Sequence, residues 1–288
     1  MAVHLCQGHA HTSGFLAWKE TDRMPCVIQK FGGACFADTA RLCAVARRLL
    51  AGGPHLVVAV VSAPQGVTDH LIRQMRAVGG TPASPAMDVL LATGELQSAA
   101  LVAAALEHLG RRTAVVPPWT VFQTDAVWGN ATIEAVHVQA IREALRGGIL
   151  PIVPGFIGAT AQGRLTTLGR GGSDYSAVAL GVALGAARVE LYKAEVDGVY
   201  TADPQTVPEA QRLEHLTHAE ALRLACAGGT VLQAKAAALA SAWSMPLYVR
   251  PAFAPGPGTA IGMEPPRPRV ASRHTPPTCV LLTRPDPL

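Results

Sequence analysis

The sequence has no Cys-x-x-Cys pair and no dense block of lysine and arginine. It also lacks any unbroken apolar run near the roughly 20 residues that cross a bilayer. Each absence excludes something. Cys6, Cys26, Cys35, Cys43, Cys226 and Cys279 are scattered, which fits free thiols in a reducing cytoplasm better than a disulfide framework or a structural zinc site. With 24 Lys and Arg against 20 Asp and Glu the net charge is only +4, so no nucleic-acid surface is expected, while a small anionic ligand is compatible. The longest runs, "HLVVAVVSA" and "AVALGVALGA", predict no transmembrane helix and no membrane partner. The first 25 residues lack the basic start and apolar core of a signal peptide and read as a flexible N-terminal extension.

What is present is a core. At 49% hydrophobic residues over 288, the chain can bury a large interior. "PCVIQKF" reads as a strand, "GGAC" as a break, and "ADTARLCAVARRLLAGG" as a helix ending in paired glycines. "HLVVAVVSA" has the continuous apolar character of a parallel strand covered on both faces. Then come "PQGVTD", a turn-rich loop, and "AMDVLLATGELQSAALVAAALEHLG", a helix expected to break near Gly94. "RTAVVPP" returns to strand, "ATIEAVHVQAIREALRGG" reads as helix, and "ILPIVPGFIGA" as strand and loop. The series closes with strand "RVELYKA", helices "THAEALRLACAGG" and "AKAAALASAWSM", and strand "PLYVRPA". This alternation predicts an α/β protein, a three-layer α/β/α sandwich with a largely parallel central sheet over residues 26–262. Residues 263–288 are proline-rich and read as an irregular tail.

Two glycine turns follow predicted strands or precede predicted helices. Lys30 stands just before Gly32 and Gly33, and Arg170 stands within "GRGG" before a helix that Ser173 or Asp174 could cap. Glycines let a phosphate approach the backbone, a helix N-terminus offers free N–H groups, and lysine or arginine supplies charge. Neither turn is a GxxxxGK[ST] or a GxGxxG motif; alone, the Lys30 turn reads better as an ordinary structural turn, and the Arg170 turn is equally consistent with one. Glu95 sits in an apolar segment, where an acid is either exposed or paired. "YKAEVDGVYTADPQTVPEA" is either a nucleotide-gripping loop or a hairpin.

Taken together, the segments resemble the catalytic domain of aspartate kinase, in the amino acid kinase superfamily. "VIQKFGGAC" is similar to that family's V-x-KFGGTS opening, "VVSAPQGVTD" to its VVSA-x-GG-x-T-[DN] loop, and "TGELQSA" to its SGE-x-x-S helix. "GFIGATAQGRLTTLGRGGSDYSA" matches the GF-x-G…TTLGRGGSD segment, "VDGVYTADPQTVPEA" the VDGVYTADPR-x-VP-x-A segment, and "PGPGTAIG" the closing PGT-x-I. The resemblance implies ATP-dependent phosphorylation of the side-chain carboxylate of L-aspartate, with Mg²⁺. It also implies an N-terminal amino-acid side, a C-terminal nucleotide side, and a homodimer as a common superfamily assembly. Carried over, it makes Lys30 and Asp174 catalytic, with Asp174 also holding Lys30. Ser62, Thr68, Glu95, Phe156, Arg170 and Asp174 become substrate-binding. Lys30, Gly32, Gly33, Gly171, Gly172, Glu195, Tyr200 and Asp203 fall on the nucleotide side, with no resident metal site of the protein's own.

The departures concentrate opposite the amino-acid side. Ala34-Cys35 replaces a Thr-Ser pair, Ala194-Glu195 a Thr-Asp, Gln205 an arginine and Thr230 a lysine. Two expected phosphate cations are thus absent, with Lys193 and Lys235 the nearby candidates to replace them. Biosynthetic members of the family usually continue into a pair of ACT domains, so with only a short tail here, feedback through such domains is not expected within this polypeptide. The missing cations keep two alternatives open: a kinase of another small carboxylate, or a catalytically weak relative that binds an amino acid or nucleotide and acts through a partner.

Overall fold

Parallel strands covered on both faces should be buried throughout, and two central strands here are: β1 (Cys26–Phe31) is buried along its whole length, including its polar Gln29 and Lys30, and the wholly apolar β2 (Leu56–Val61) along nearly all of it. The structure, a computed structural model, describes residues 26–51, 56–202, 206–227 and 231–263. The expected extension over 1–25 and almost all of the expected tail lie outside the described residues.

Strands β3 (Thr113–Val115), β6 (Leu150–Pro154), β9 (Arg188–Lys193), β12 (His215–Leu216), β13 (Leu247–Pro251) and β14 (Thr259–Ile261) complete an eight-stranded sheet in the order β12-β14-β13-β9-β1-β2-β6-β3. Its neighbours run parallel except β13 with β14. A four-stranded sheet, β5-β4-β7-β8, is formed by β4 (Phe122–Thr124), β5 (Ile133–Val136), β7 (Ile157–Ala159) and β8 (Leu165–Thr167). A small hairpin joins β10 (Val199–Tyr200) to β11 (Arg212–Leu213).

Side-chain alternation along the central strands builds the three layers. Ile28, Val58 and Val60 join one core with Val189 and Leu191, beneath α4 (Gln139–Arg146), α5 (Gly172–Leu184) and α7 (Ala234–Ala242). Phe31, Val57, Ala59 and Val61 join the other, beneath α1 (Thr39–Leu50) and α3 (Pro85–His108). Every residue of α5 is buried, as an all-round apolar helix must be; Leu180 and Leu184 are fully enclosed, and burying each such side chain contributes about 1.5–3 kcal/mol. The remaining helices are α2 (Val67–Ala77) and α6 (His218–Cys226), the latter closed by a Thr217/Glu220 capping box.

Three expectations need correction. α3 is unbroken at Gly94: a side chain there would meet Ala63 Cβ at 3.0 Å and Val67 at 3.1 Å, so the glycine serves close helix packing rather than a break. By length and composition α3 could cross a membrane, yet it packs on α1, α2, β3 and β6 and turns Asp88 and Glu95 into the protein. Residues Ile133–Val136 form β5, paired antiparallel with β4, and only Gln139–Arg146 is helical. The "PQGVTD" turn ends at Gly66, whose φ of 79° starts the amphipathic helix α2.

Candidate active site

Ligands of parallel sheets gather beyond the carboxyl ends of the strands, where neighbouring connections diverge. Here β1 is that point, with β2 on one side and β9 on the other. Lys30 and Lys193 lie near or at the carboxyl ends of β1 and β9 and turn toward α5. Lys30 Nζ is 2.6 Å from Asp174 Oδ1, and Lys193 Nζ is 3.0 Å from Asp174 Oδ2. Asp174 belongs to the first turn of α5, whose N-cap is Gly171 without any side-chain cap, so the expectation that Ser173 or Asp174 caps the helix gives way to this ion-paired role. Burial alone would raise the Asp174 carboxyl, but Lys193 and Lys30 hold it below the usual carboxylate range. Burial and repulsion from Lys30 lower Lys193, against the pull of Asp174. The three charges sum to +1 beside a helix N-terminus, which suits a bound anion.

The loop after β2 closes one wall. Ser62 Oγ lies 2.7 Å from Ser173 Oγ, joining this loop to α5. Gly33 is fixed by packing: a Cβ on it would lie 2.7 Å from the carbonyl oxygen of Ala63. Glu95, on α3, is buried with one oxygen lacking a hydrogen-bond partner; burial raises its pKa to about 8 against a backbone bond from Ala63 and the field of Lys30. Phe156 has φ 66°, a strained value for a bulky residue, and its N–H donates to Ser176 Oγ at 3.0 Å. The ring edge lies 3.1 Å from where a Cβ on Gly172 would sit, so the glycine admits Phe156 to the α5 N-terminus. Thr68 is partly buried in the first turn of α2.

Arg170 is not drawn into this cluster. Its side chain is 92% exposed, and its contact is a 3.8 Å ion pair with Asp69 of α2. The loop carrying it is held from behind by Gln233, whose side-chain N–H donates to the Arg170 carbonyl at 3.0 Å.

Beyond β9, Glu195 is exposed and accepts a long 3.5 Å bond from Gln65, and Tyr200 donates its hydroxyl to Asp197 at 2.7 Å. Asp203, Gln205 and Thr230 lie outside the described residues. Cys35 points into the core, its thiol toward the Tyr192 carbonyl at 3.7 Å and pushed up in pKa by burial. Lys235 donates to the Asn130 carbonyl and side chain and to the Ala131 carbonyl at 2.9–3.0 Å, which ties its ammonium to a structural loop.

The sequence names Lys193 only as a nearby basic residue and Ser173 only as a candidate helix cap, and it does not single out Gln233 or Asp88. Period-2 alternation along "RVELYK" was the available signal for Lys193, since it sets residues 189, 191 and 193 on one face. Asp88 takes bonds from the Gly129 N–H and from both the N–H and hydroxyl of Thr167, which locks α3 to the second sheet.

A sequence profile of the amino acid kinase family matches residues 25–251. The aspartokinase of Corynebacterium efficiens is 43% identical over 245 residues, covering 83% of this chain and 57% of the relative. Among solved structures, aspartate kinase from Synechocystis superposes with a TM-score of 0.73 at 36% identity, covering 84% of this chain and 40% of that one. E. coli aspartokinase III in complex with aspartate and ADP superposes with a TM-score of 0.71 at 28% identity, covering 82% and 64%. The chain thus spans a little over half the length of the curated relatives it matches.

Proposed function

The chain belongs to the amino acid kinase family, and we propose that it transfers the γ-phosphoryl group of ATP to the side-chain carboxylate of L-aspartate, giving 4-phospho-L-aspartate. The observation that carries the reading is the pair of ammonium groups, Lys30 and Lys193, shared by one buried carboxylate beneath a helix N-terminus. The relatives named above support the substrate pair.

An aspartate side chain ionises near pH 3.9, so at neutral pH the nucleophile needs no general base. The obstacle is repulsion between two anions, and alignment with charge neutralisation is what the protein has to supply. One carboxylate oxygen forms the new bond to the γ-phosphorus while the bond to the β-bridging oxygen breaks, and ADP leaves with that electron pair. Lys30 and Lys193 neutralise the transferring group, and Asp174 fixes both. Gly32, Gly33, Gly171 and Gly172 offer backbone room to the phosphates, and Mg²⁺ would accompany them as a counter-cation of the nucleotide. Arg170 takes the α-carboxylate after leaving Asp69, Glu95 takes the ammonium, and Ser62, Thr68 and Phe156 wall the side chain. Glu195, Tyr200 and Asp203 border the nucleotide.

Hydroxylamine trapping tests the reading: with ATP, Mg²⁺ and aspartate the protein should yield aspartyl hydroxamate in proportion to ADP. Hydroxamate only with a different acid would reassign the substrate, and none with any acid would leave a binding protein rather than a kinase.

A further inference from the structure

The opposite face of the same two strands opens on a separate cleft. Residues 29 and 190, in register on β1 and β9, point away from Lys30 and Lys193 toward α1, and a cleft of about 680 Å³ opens there between α1, β9 and residues 252–253. That volume suits a small ligand. Arg47, Arg48 and Arg188 line it. Arg47 is exposed, and its side chain makes no hydrogen bond or ion pair among the described residues. Arg48 donates its Nε to the Ala252 carbonyl at 2.8 Å, and its guanidinium carbon stands over the Tyr192 ring at 4.8 Å from the centroid, without an acidic partner. Arg188 donates its Nε to Glu190 at 2.8 Å.

Glu190 is the one acid lining the cleft among the described residues, and it is already satisfied. It accepts from Gln29 at 3.0 Å, from the Tyr192 hydroxyl at 2.9 Å and from Arg188, with Arg250 at 3.7 Å. Burial alone would raise this carboxyl, but Arg188, Tyr192 and Arg250 hold it ionised below the usual range. Three lining guanidinium groups therefore face one carboxylate whose oxygens are spoken for, a surplus of two positive charges in a molecule whose net charge is only +4. Guanidinium forks match phosphate oxygens in pairs. The wall opposite is aromatic: Phe253 is 40% exposed at the rim. At the floor, Gln29 Oε1 is buried without a partner, an unmet acceptor that a ligand hydroxyl or a carried water would satisfy.

We propose that this cleft binds a small phosphate ester bearing a flat ring, with its phosphate between Arg47 and Arg48 and its ring against Phe253. The site is separate from the kinase site, and its floor is formed by the residues that precede Lys30 and Lys193 in the chain, Gln29 and Tyr192. Phenyl phosphate is a suitable probe, titrated calorimetrically into the full chain. Saturable binding with one site per chain is expected, weakened at least tenfold by Arg47→Ala combined with Arg48→Lys and severalfold by Phe253→Ala. Lys30→Ala should leave it unchanged. Arg47 and Phe253 are exposed, so an unchanged melting temperature in these variants will separate lost contacts from lost fold. Absence of saturable binding overturns the proposal. So does binding lost with Lys30→Ala but kept without Arg47 and Arg48, because the probe would then be visiting the kinase site.

Discussion

Lys193 donates to the Asp174 oxygen that Lys30 leaves free, from the carboxyl end of the adjacent strand. Neither ammonium can drift without stranding the other charge, so the pair is positioned before any anion arrives, which is the form of preorganisation that accelerates phosphoryl transfer. Under the proposed function Lys193 is the second cation in place of those absent at 205 and 230, whereas Lys235 is committed to Asn130 and Ala131. Lys193→Met should lower kcat on the order of 10³-fold with little change in the KM for aspartate. Lys235→Met should leave kcat within about threefold and lower the melting temperature instead. Steady-state hydroxamate kinetics on the two variants would decide between the lysines, and equal kcat losses would return Lys235 to the phosphate site.

Asp174→Asn should be more damaging than either lysine change. It leaves two buried ammonium groups facing each other without a counter-charge, and removing one partner of a buried ion pair costs about 3–5 kcal/mol. Adding Lys193→Met to Asp174→Asn should recover part of that loss, because the repulsion goes with the second lysine. Urea unfolding of the single and double variants closes the cycle. Additive losses would mean the three groups are not coupled.

Glu95 gives the site a pH dependence whose sign can be worked out. Its folded pKa of about 8 lies above the ordinary glutamate value of 4.5, so between these values the folded protein holds a proton that the unfolded chain has lost. Stability from this group is therefore greatest below pH 4.5 and declines as pH rises toward 8. Ammonium binding needs the charged form, so the aspartate KM should fall as pH rises through about 8. Glu95→Gln should flatten both dependences while raising the KM in the alkaline range. Melting temperatures and KM values taken from pH 6 to 9 test the two effects independently.

Arg170 separates binding from stability. Its 3.8 Å pair with Asp69 joins two exposed side chains, and such pairs contribute about 0–1 kcal/mol. Arg170→Ala should leave the melting temperature unchanged, raise the aspartate KM at least tenfold and leave the ATP KM within about twofold. An unchanged aspartate KM would remove Arg170 from substrate binding.

Much of this was legible in one sequence because burial writes itself along the chain. β1, β2 and α5 are apolar where they are covered on every side, and the turns beside Lys30 and Arg170 carry the glycines that their backbones need. Residues 133–136 were misread because "TIEAVHV" suits a strand as well as a helix, and pairing with Phe122–Thr124, a distant contact, decides it. Cys35 looked like a lost hydroxyl beside the phosphates, but a short turn aims it at the core. The partner of Asp174 was half visible: the motif supplied Lys30, while Lys193 depends on parallel pairing of strands some 160 residues apart.

Gly33 and Gly32 test whether the first turn is shaped by packing or by its ligand. A methyl group on Gly33 would stand 2.7 Å from the Ala63 carbonyl oxygen, nearer than a carbon and a backbone oxygen can come, so the turn and the Ser62 loop would have to separate. Backbone on both sides leaves no flexible side chain to yield. On Gly32 the nearest atoms to a methyl would be the Tyr192 carbonyl oxygen at 3.7 Å and Lys30 Nζ at 3.9 Å, both at ordinary contact distance, with φ already in a common region. Gly33→Ala should therefore lower both the melting temperature and kcat/KM. Gly32→Ala should keep the melting temperature and lower kcat, because its methyl occupies space beside the lysine where a phosphate oxygen would sit. If Gly32→Ala turns over at the full rate, the phosphoryl group does not pass over that face of Lys30, and the reacting centre belongs nearer Lys193.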